Sequence, residues 1–235
     1  MSDDELDLKQ IRRLEQQERK HRAILDAAFG MVEDEGLERL TMPRLAKALG
    51  VAVGGLYRTF PSKDRMVTEL QGRAIDRLWR RVDNRWRRVD RPPADEAVRA
   101  LAHVVVALQM GLRFASTDPV HHGLLVHLWA HPPSDEDGAW LGERAGPMVQ
   151  AMLTRLRAAI DAQMIEPLDP NPTLAWWWTS LIAAQTLPEP IRPNADAILD
   201  NLLRGVGTPG FQLLAARRLI ERADVSGPGG PVGDS

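Results

Sequence analysis

Residues 41–63 read TMPRLAKALGVAVGGLYRTFPSK, and this stretch sets the fold. Thr41 is placed to cap a helix, its hydroxyl taking one of the orphan backbone N–H groups of the first turn. Pro43 is tolerated there because a first-turn N–H has no intrahelical partner to lose. Leu45, Ala46 and Leu49 share one apolar face. Gly50 breaks the helix, being free to take positive φ. Val53, Leu56 and Phe60 then resume helical spacing. Two short helices about a tight turn form a helix-turn-helix, whose second helix is the one that enters a DNA major groove.

Working backward, a helix is expected from about Arg19 to Glu35, with Ile24, Ala28, Met31 and Val32 on one face, Leu25 and Phe29 widening it, and Gly36 ending it. It would cover the hairpin and complete a three-helix domain over 19–65. Residues 1–18 are polar and charged and read as a flexible arm. Arg12, Arg13, Arg19, Lys20 and Arg22 are the cations it offers to phosphate or minor groove.

The string Thr41, Leu45, Ala46, Gly50, Val51, Ala52, Gly54, Leu56, Tyr57, Phe60, Ser62, Lys63 resembles the TetR family of bacterial transcription repressors, in the pattern T-x-x-x-[IL]-A-x-x-x-G-V-[SA]-x-G-x-[LI]-Y-x-x-F-x-[SN]-K. The resemblance covers roughly the first third of the chain. It implies an all-α protein, a helix-turn-helix domain followed by a helical ligand-binding and dimerisation body. It also implies that Tyr57 and Lys63 contact phosphate, and that Thr41 and Arg44 stand where the first hairpin helix meets the DNA backbone. Ala52, Val53, Gly54, Gly55, Arg58 and Thr59 complete the DNA-facing set. Departures from the family fall inside the reading helix. Gly55 stands where Thr, Ala or Ser is usual, Ala52 where Ser is frequent, and Thr59 where an aromatic residue or His is common. Arg58 and Thr59 are therefore the side chains left to read base edges, and DNA shape carries part of the choice.

Downstream, Ser62 and Asp64 open a long helix to about Arg88. Val67, Leu70, Ala74, Leu78 and Val82 form its stripe, and Arg73, Arg77, Arg80, Arg81, Arg87 and Arg88 lie on the remainder. These arginines are expected to be solvated or paired with the acidic body. After Arg91-Pro92-Pro93 come helices near 95–116, 119–131, 139–163, 172–187, 194–206 and 210–223, punctuated by proline. The end from Ser226, rich in Gly and Pro, reads as a flexible tail over 225–235. Trp176, Trp177 and Trp178 make the 172–187 helix apolar all round, so it must be covered twice. With the 194–206 helix it is expected to build a four-helix homodimer interface through Trp177, Trp178, Leu181, Ile198 and Leu202. The alternative is that some of these tryptophans line a ligand cavity.

Charge is uneven. Through Arg91 there are 20 Lys+Arg against 16 Asp+Glu, and from Pro92 onward 10 against 16. A basic front on an acidic body suits a DNA reader carried by a separate unit. Cysteine is absent, which excludes disulfides and thiolate metal sites and fits a cytoplasmic protein. No apolar run is read as a membrane span and no secretory signal is recognised.

His121, His122, His127 and His131 cluster in sequence. Only His127 and His131 share a helix face, with no accompanying glutamate, and they are read as core or surface residues rather than metal ligands. No nucleophilic triad, phosphate-cradling loop or distinctive carboxylate pair is present. The chain is therefore read as a non-enzyme with no cofactor. A pocket for a small, largely apolar effector is expected by resemblance in the helical body, near Met110, Phe114, His127 and Gln185. The expected function is a dimeric, cytoplasmic transcription regulator, a repressor released from a near-palindromic operator by that effector. The competing reading is an effector-binding helical protein without sequence-specific DNA binding.

Overall fold

The computed structural model describes residues 3–188 and 194–225, with side chains from residue 9 onward. The expected tail beyond residue 225, Pro190 and Pro193 lie outside them. Ten α-helices form among the described residues, and no strand: α1 Asp3–Glu35, α2 Met42–Leu49, α3 Val53–Tyr57, α4 Lys63–Val89, α5 Glu96–Thr117, α6 Pro119–Ala130, α7 Asp135–Asp161, α8 Pro170–Thr186, α9 Ala195–Arg204 and α10 Gly210–Val225.

Two compact units result: residues 1–74 with 123–141, and 75–122 with 142–235. The division falls inside α4, not at the expected 65/66, and the α6–α7 region joins the first unit. The reason is local pairing. Arg65 Nη1 donates to Asp137 Oδ1 at 2.7 Å and stacks its guanidinium 4.8 Å from the Trp140 ring. Gln71 Nε2 lies 3.2 Å from His127 Nδ1.

In the first unit, α1 starts well before the expected Arg19. Asp3–Glu35 is one helix, and residues 9–20 are exposed along it. Ile24, Leu25, Ala28 and Val32 of α1 are buried, as are Leu45 and Ala46 of α2, Leu56 of α3, and Phe60, Met66, Val67 and Leu70 beyond it. That is the three-helix core the apolar spacing predicts.

The second unit is organised on α5, which touches α8, α9 and α10. Ala100, Leu101, Val104, Val105, Val106, Leu108, Leu112 and Phe114 are buried. By length and composition this helix is apolar enough to cross a membrane, contrary to the expectation of no such run. Yet 56% of its apolar window is buried within the protein, which is the signature of a core helix. The arginines of α4 are largely paired. Arg73 Nη1 donates to Asp26 at 2.5 Å, Arg77 and Arg81 converge on Asp118, Arg85 pairs with Asp224, and Arg87 Nε meets Asp83 at 2.9 Å.

The dimer assignments need revision. Trp177, Leu181 and Leu202, expected at a dimer interface, are 2%, 3% and 5% exposed and lie in the core of this chain. An all-apolar helix left open which face turned inward. The exposed face of α8 instead runs through Ala175, Trp176, Thr179, Ala183 and Thr186, with Trp178 and Ile198 half-buried.

Candidate nucleic-acid interface

The hairpin is built by its caps. Thr41, extended at φ −135° and ψ 148°, caps α2, its Oγ1 accepting from Arg44 N at 3.4 Å. Gly50 sits at φ +66°, where an L side chain is strained. There it lets its own N–H reach Lys47 O (3.2 Å) and that of Val51 reach Ala46 O (3.0 Å), closing α2 with the paired bonds of a left-handed cap. The chain turns directly into α3.

α3 is five residues long, and its preceding residue, Ala52, supplies no side-chain cap. A helix that short has no independent stability. Leu56 and Phe60, both 0% exposed, hold it down, and the Phe60 ring lies 4.4 Å from the ring of His21 on α1. Thr59 N and Phe60 N both donate to Leu56 O at 2.8 Å. A Cβ on Gly54 meets nothing within 4 Å, and one on Gly55 meets only the flexible Arg58 guanidinium at 3.7 Å. Neither glycine is therefore required by packing inside this chain.

None of the residues read as DNA-facing is buried. Thr41, Arg44, Ala52, Gly54, Tyr57 and Arg58 are exposed, and Val53, Gly55, Thr59 and Lys63 half-buried. Tyr57 is 47% exposed although α3 is clamped beside it. Val51, not in the expected set, is 44% exposed at the mouth of the turn. Arg44 is engaged, donating to Arg39 O at 2.9 Å and to Glu35 at 2.5 Å, so a phosphate would compete with that carboxylate. Lys63 heads α4, whose first turn is capped by Ser62 Oγ accepting from Arg65 N at 2.9 Å.

The expected effector residues divide between the units: Met110, Phe114 and Gln185 in the second, His127 in the first. Phe114 is 1% exposed, covered by the Arg81 guanidinium at 5.1 Å. Met110 is half-buried. Gln185 Nε2 donates to Leu181 O at 2.8 Å within its own helix and to Gly111 O of α5 at 3.4 Å, next in sequence to Met110. His127 belongs to the first unit and stacks on His131 at 4.5 Å. His121 and His122 belong to the second, and burial is the main cause lowering the pKa of both and of His127. Among the described residues no three metal-ligating side chains come together.

A narrow cavity of about 30 Å³ does exist in the second unit, lined by Trp86, His103, Arg155, Trp177, Trp178 and Leu181 among others. These side chains come from four helices, so no local motif announces them. The one legible sign is Arg155, a cation between Met152 and Leu156 on the apolar side of α7. An open groove of about 1110 Å³ runs past Pro92, Pro93, Arg218 and Glu221, but it offers no buried unpartnered donor among the described residues.

Residues 24–70 match the sequence profile described as bacterial regulatory proteins, tetR family. Nucleoid occlusion factor SlmA of Haemophilus ducreyi is 44% identical over 52 residues, which are 22% of this chain and 26% of that protein. SlmA of Vibrio cholerae is 30% identical over 154 residues, 63% of this chain and 72% of that one. The HTH-type transcriptional repressor KstR of Mycolicibacterium smegmatis is 38% identical over 64 residues, 27% and 31% of the two chains. With several of these relatives, then, the chain shares only a quarter to a third of their length. Among solved structures, AibR in complex with isovaleryl coenzyme A and operator DNA superposes with a TM-score of 0.59 at 18% identity, over 80% of this chain and 98% of that one, a likeness of fold. With the profile lying on α1–α4 and a relative matched over most of its length, the chain belongs to the TetR family of bacterial regulatory proteins and carries that family's DNA-binding domain.

Proposed function

We propose that the protein is a homodimeric repressor that holds a near-palindromic operator through α3 and lets it go when a small, largely apolar effector enters the second unit. The observation that carries this is the contrast at α3. Leu56 of α3 and Phe60 just beyond it are fully buried, while Tyr57 at the end of α3 and its C-cap residue Arg58 stand exposed. A short segment that buries its clamps and exposes a hydroxyl and a guanidinium is arranged to be read against a surface outside the chain. KstR is named a repressor, and AibR has been crystallised with both an acyl coenzyme A and operator DNA, which supports the two-ligand reading. The chain passes between the compact units within α4, α6 and α7, and of these α4 follows the reading hairpin directly, so that helix is a covalent route by which an effector would act on the reading head. An effector favouring one dimer geometry shifts the population away from the spacing that B-DNA demands.

The test is a gel shift of the full chain on the DNA upstream of its own gene against a scrambled duplex. A tight shift on the first alone is expected. Equal, weak shifts on both would favour the competing reading, an effector-binding protein with no sequence choice. Lys63→Ala should weaken binding by a similar factor on every sequence and lower the salt slope by about one. A loss confined to one sequence would remove Lys63 from the phosphate contacts.

Dimerisation is assigned to the exposed face of α8, where Trp176 is 48% exposed among the small residues Ala175, Thr179 and Ala183, next to Gly205 at the end of α9. Large aromatic residues amid small ones are favoured at interface centres. Trp176→Glu is expected to convert a species of twice 26.2 kDa into one of that mass by sedimentation, and to abolish the operator shift. A variant that remains dimeric would move the interface elsewhere.

A further inference from the structure

The cavity in the second unit is mostly apolar, yet two of the donors among its lining residues have no acceptor. Trp177 is 2% exposed, and its indole Nε1 is buried with no hydrogen-bond partner. Burying an N–H without an acceptor is costly, and such groups are uncommon in folded proteins. Arg155 repeats the pattern. Its Nε is buried and unpartnered, its Nη1 reaches only Ala151 O at 3.3 Å, and its guanidinium lies 3.8 Å over the Trp86 ring. No carboxylate pairs with it among the described residues. Burial pushes its pKa below the usual arginine value, with Asp90 and Asp83 only partly offsetting that. The neighbouring indole and imidazole are, by contrast, satisfied: Trp86 Nε1 donates to His103 O at 2.8 Å, and His103 Nε2 meets Asp90 at 2.9 Å.

We propose that this cavity is the effector site and that its ligand is a small organic acid, with a flat or short apolar body against Trp86 and Trp178 and a carboxylate received by Arg155 and the Trp177 N–H. The assignment rests on the effector reading above and specifies the ligand's charge. A carboxylate supplies acceptors to both orphaned donors and a counter-charge to the arginine, whereas a neutral hydrocarbon would leave all three costs in place. At about 30 Å³ the cavity holds roughly one water, so the acid enters only as its walls part. Arg155 must leave the face of Trp86 to meet the carboxylate, and Trp86 belongs to α4. Occupancy is thus felt directly on the helix that leads back to the reading head.

The test uses the full-length dimer, with tryptophan fluorescence and calorimetry. The probes are benzoate, phenylacetate, cinnamate, hexanoate and octanoate, each beside its methyl ester and primary amide. At least one acid is expected to bind at least tenfold tighter than both of its neutral analogues and to weaken the operator shift. Arg155→Met should lower that acid's affinity by tenfold or more, with Arg155→Lys recovering part of it. Trp177→Phe, which keeps the ring and removes only the N–H, should lower it several-fold. The variants should keep wild-type helicity and operator affinity. Neutral analogues binding as tightly as the acids, or an acid indifferent to Arg155→Met, would overturn the carboxylate assignment while leaving effector release intact. Silence from both series, with operator still bound throughout, would overturn this assignment and count against release by an effector.

Discussion

Phe60→Ala is expected to abolish operator binding and to lower the melting transition of the first unit by about 12–40 °C, while the second unit keeps its own transition. The magnitude follows from burial. Phe60 is 0% exposed and its ring packs on His21, so truncation removes a large apolar surface and leaves a cavity, at about 3–5 kcal/mol. In a small domain each kcal/mol moves the midpoint by about 4–8 °C. The functional loss is sharper than the stability loss, because α3 spans only Val53–Tyr57 and contains two glycines, each about 1 kcal/mol worse than alanine in a helix. Such a segment is helical only while clamped. Differential calorimetry beside gel shift checks the claim. A variant that still binds operator at wild-type affinity would show that α3 is held by something other than Phe60.

The same residue illustrates what a sequence can and cannot disclose. Thr41, Pro43, Gly50, Leu56 and Phe60 act through neighbours within a turn or two, so cap, break and clamp were all legible from spacing alone. α5 was legible for a related reason: apolar residues around its whole circumference leave burial as the only solution. The α8 tryptophans were not. When every face of a helix is apolar, periodicity cannot tell the inward face from the outward one, and Trp177 and Leu181 went inward while Trp176 stayed outside. The cavity of the second unit was hidden for a different reason. Trp86, His103, Arg155 and Trp177 lie on α4, α5, α7 and α8, and nothing short of the packing brings them together. His127 falls in a different unit from Met110, Phe114 and Gln185 because the chain changes units within α6, a division that no composition shift marks. The arginines of α4 were read as solvated or paired with the acidic body, and the partners that Arg77 and Arg81 find lie 36 or more residues away in sequence, beyond the reach of any local pattern.

One of those pairings carries the second large effect. Asp118 closes α5 and is 8% exposed. Its carboxylate takes Arg77 Nε, Arg81 Nη2 at 2.8 Å and His121 Nδ1 at 2.6 Å, while Arg81 also donates to Thr117 Oγ1 at 2.7 Å. One buried acid thus ties the α5–α6 junction to the middle of α4. Asp118→Ala leaves two guanidinium groups without their counter-ion. Removing one partner of a fully buried pair costs about 3–5 kcal/mol. Here the arginine side chains are 46% and 30% exposed, and solvent screens part of the loss, so about 2 kcal/mol is expected. For a chain of this size that lowers the melting temperature by about 4–8 °C. The pH dependence has a definite sign. Burial pushes the Asp118 carboxyl up, but bonds from Arg77 and His121 outweigh it and hold the pKa below the usual value. A depressed acid stabilises the fold above its unfolded pKa and loses that contribution as pH falls through the folded one. The gap between wild type and Asp118→Ala should therefore be full at pH 7.5 and narrow as pH falls below about 4, and calorimetry at a series of pH values reads it directly. A gap of the same size at every pH would mean that alanine acts through lost packing rather than lost charge, and a gap that grows in acid would reverse the assigned direction of the shift.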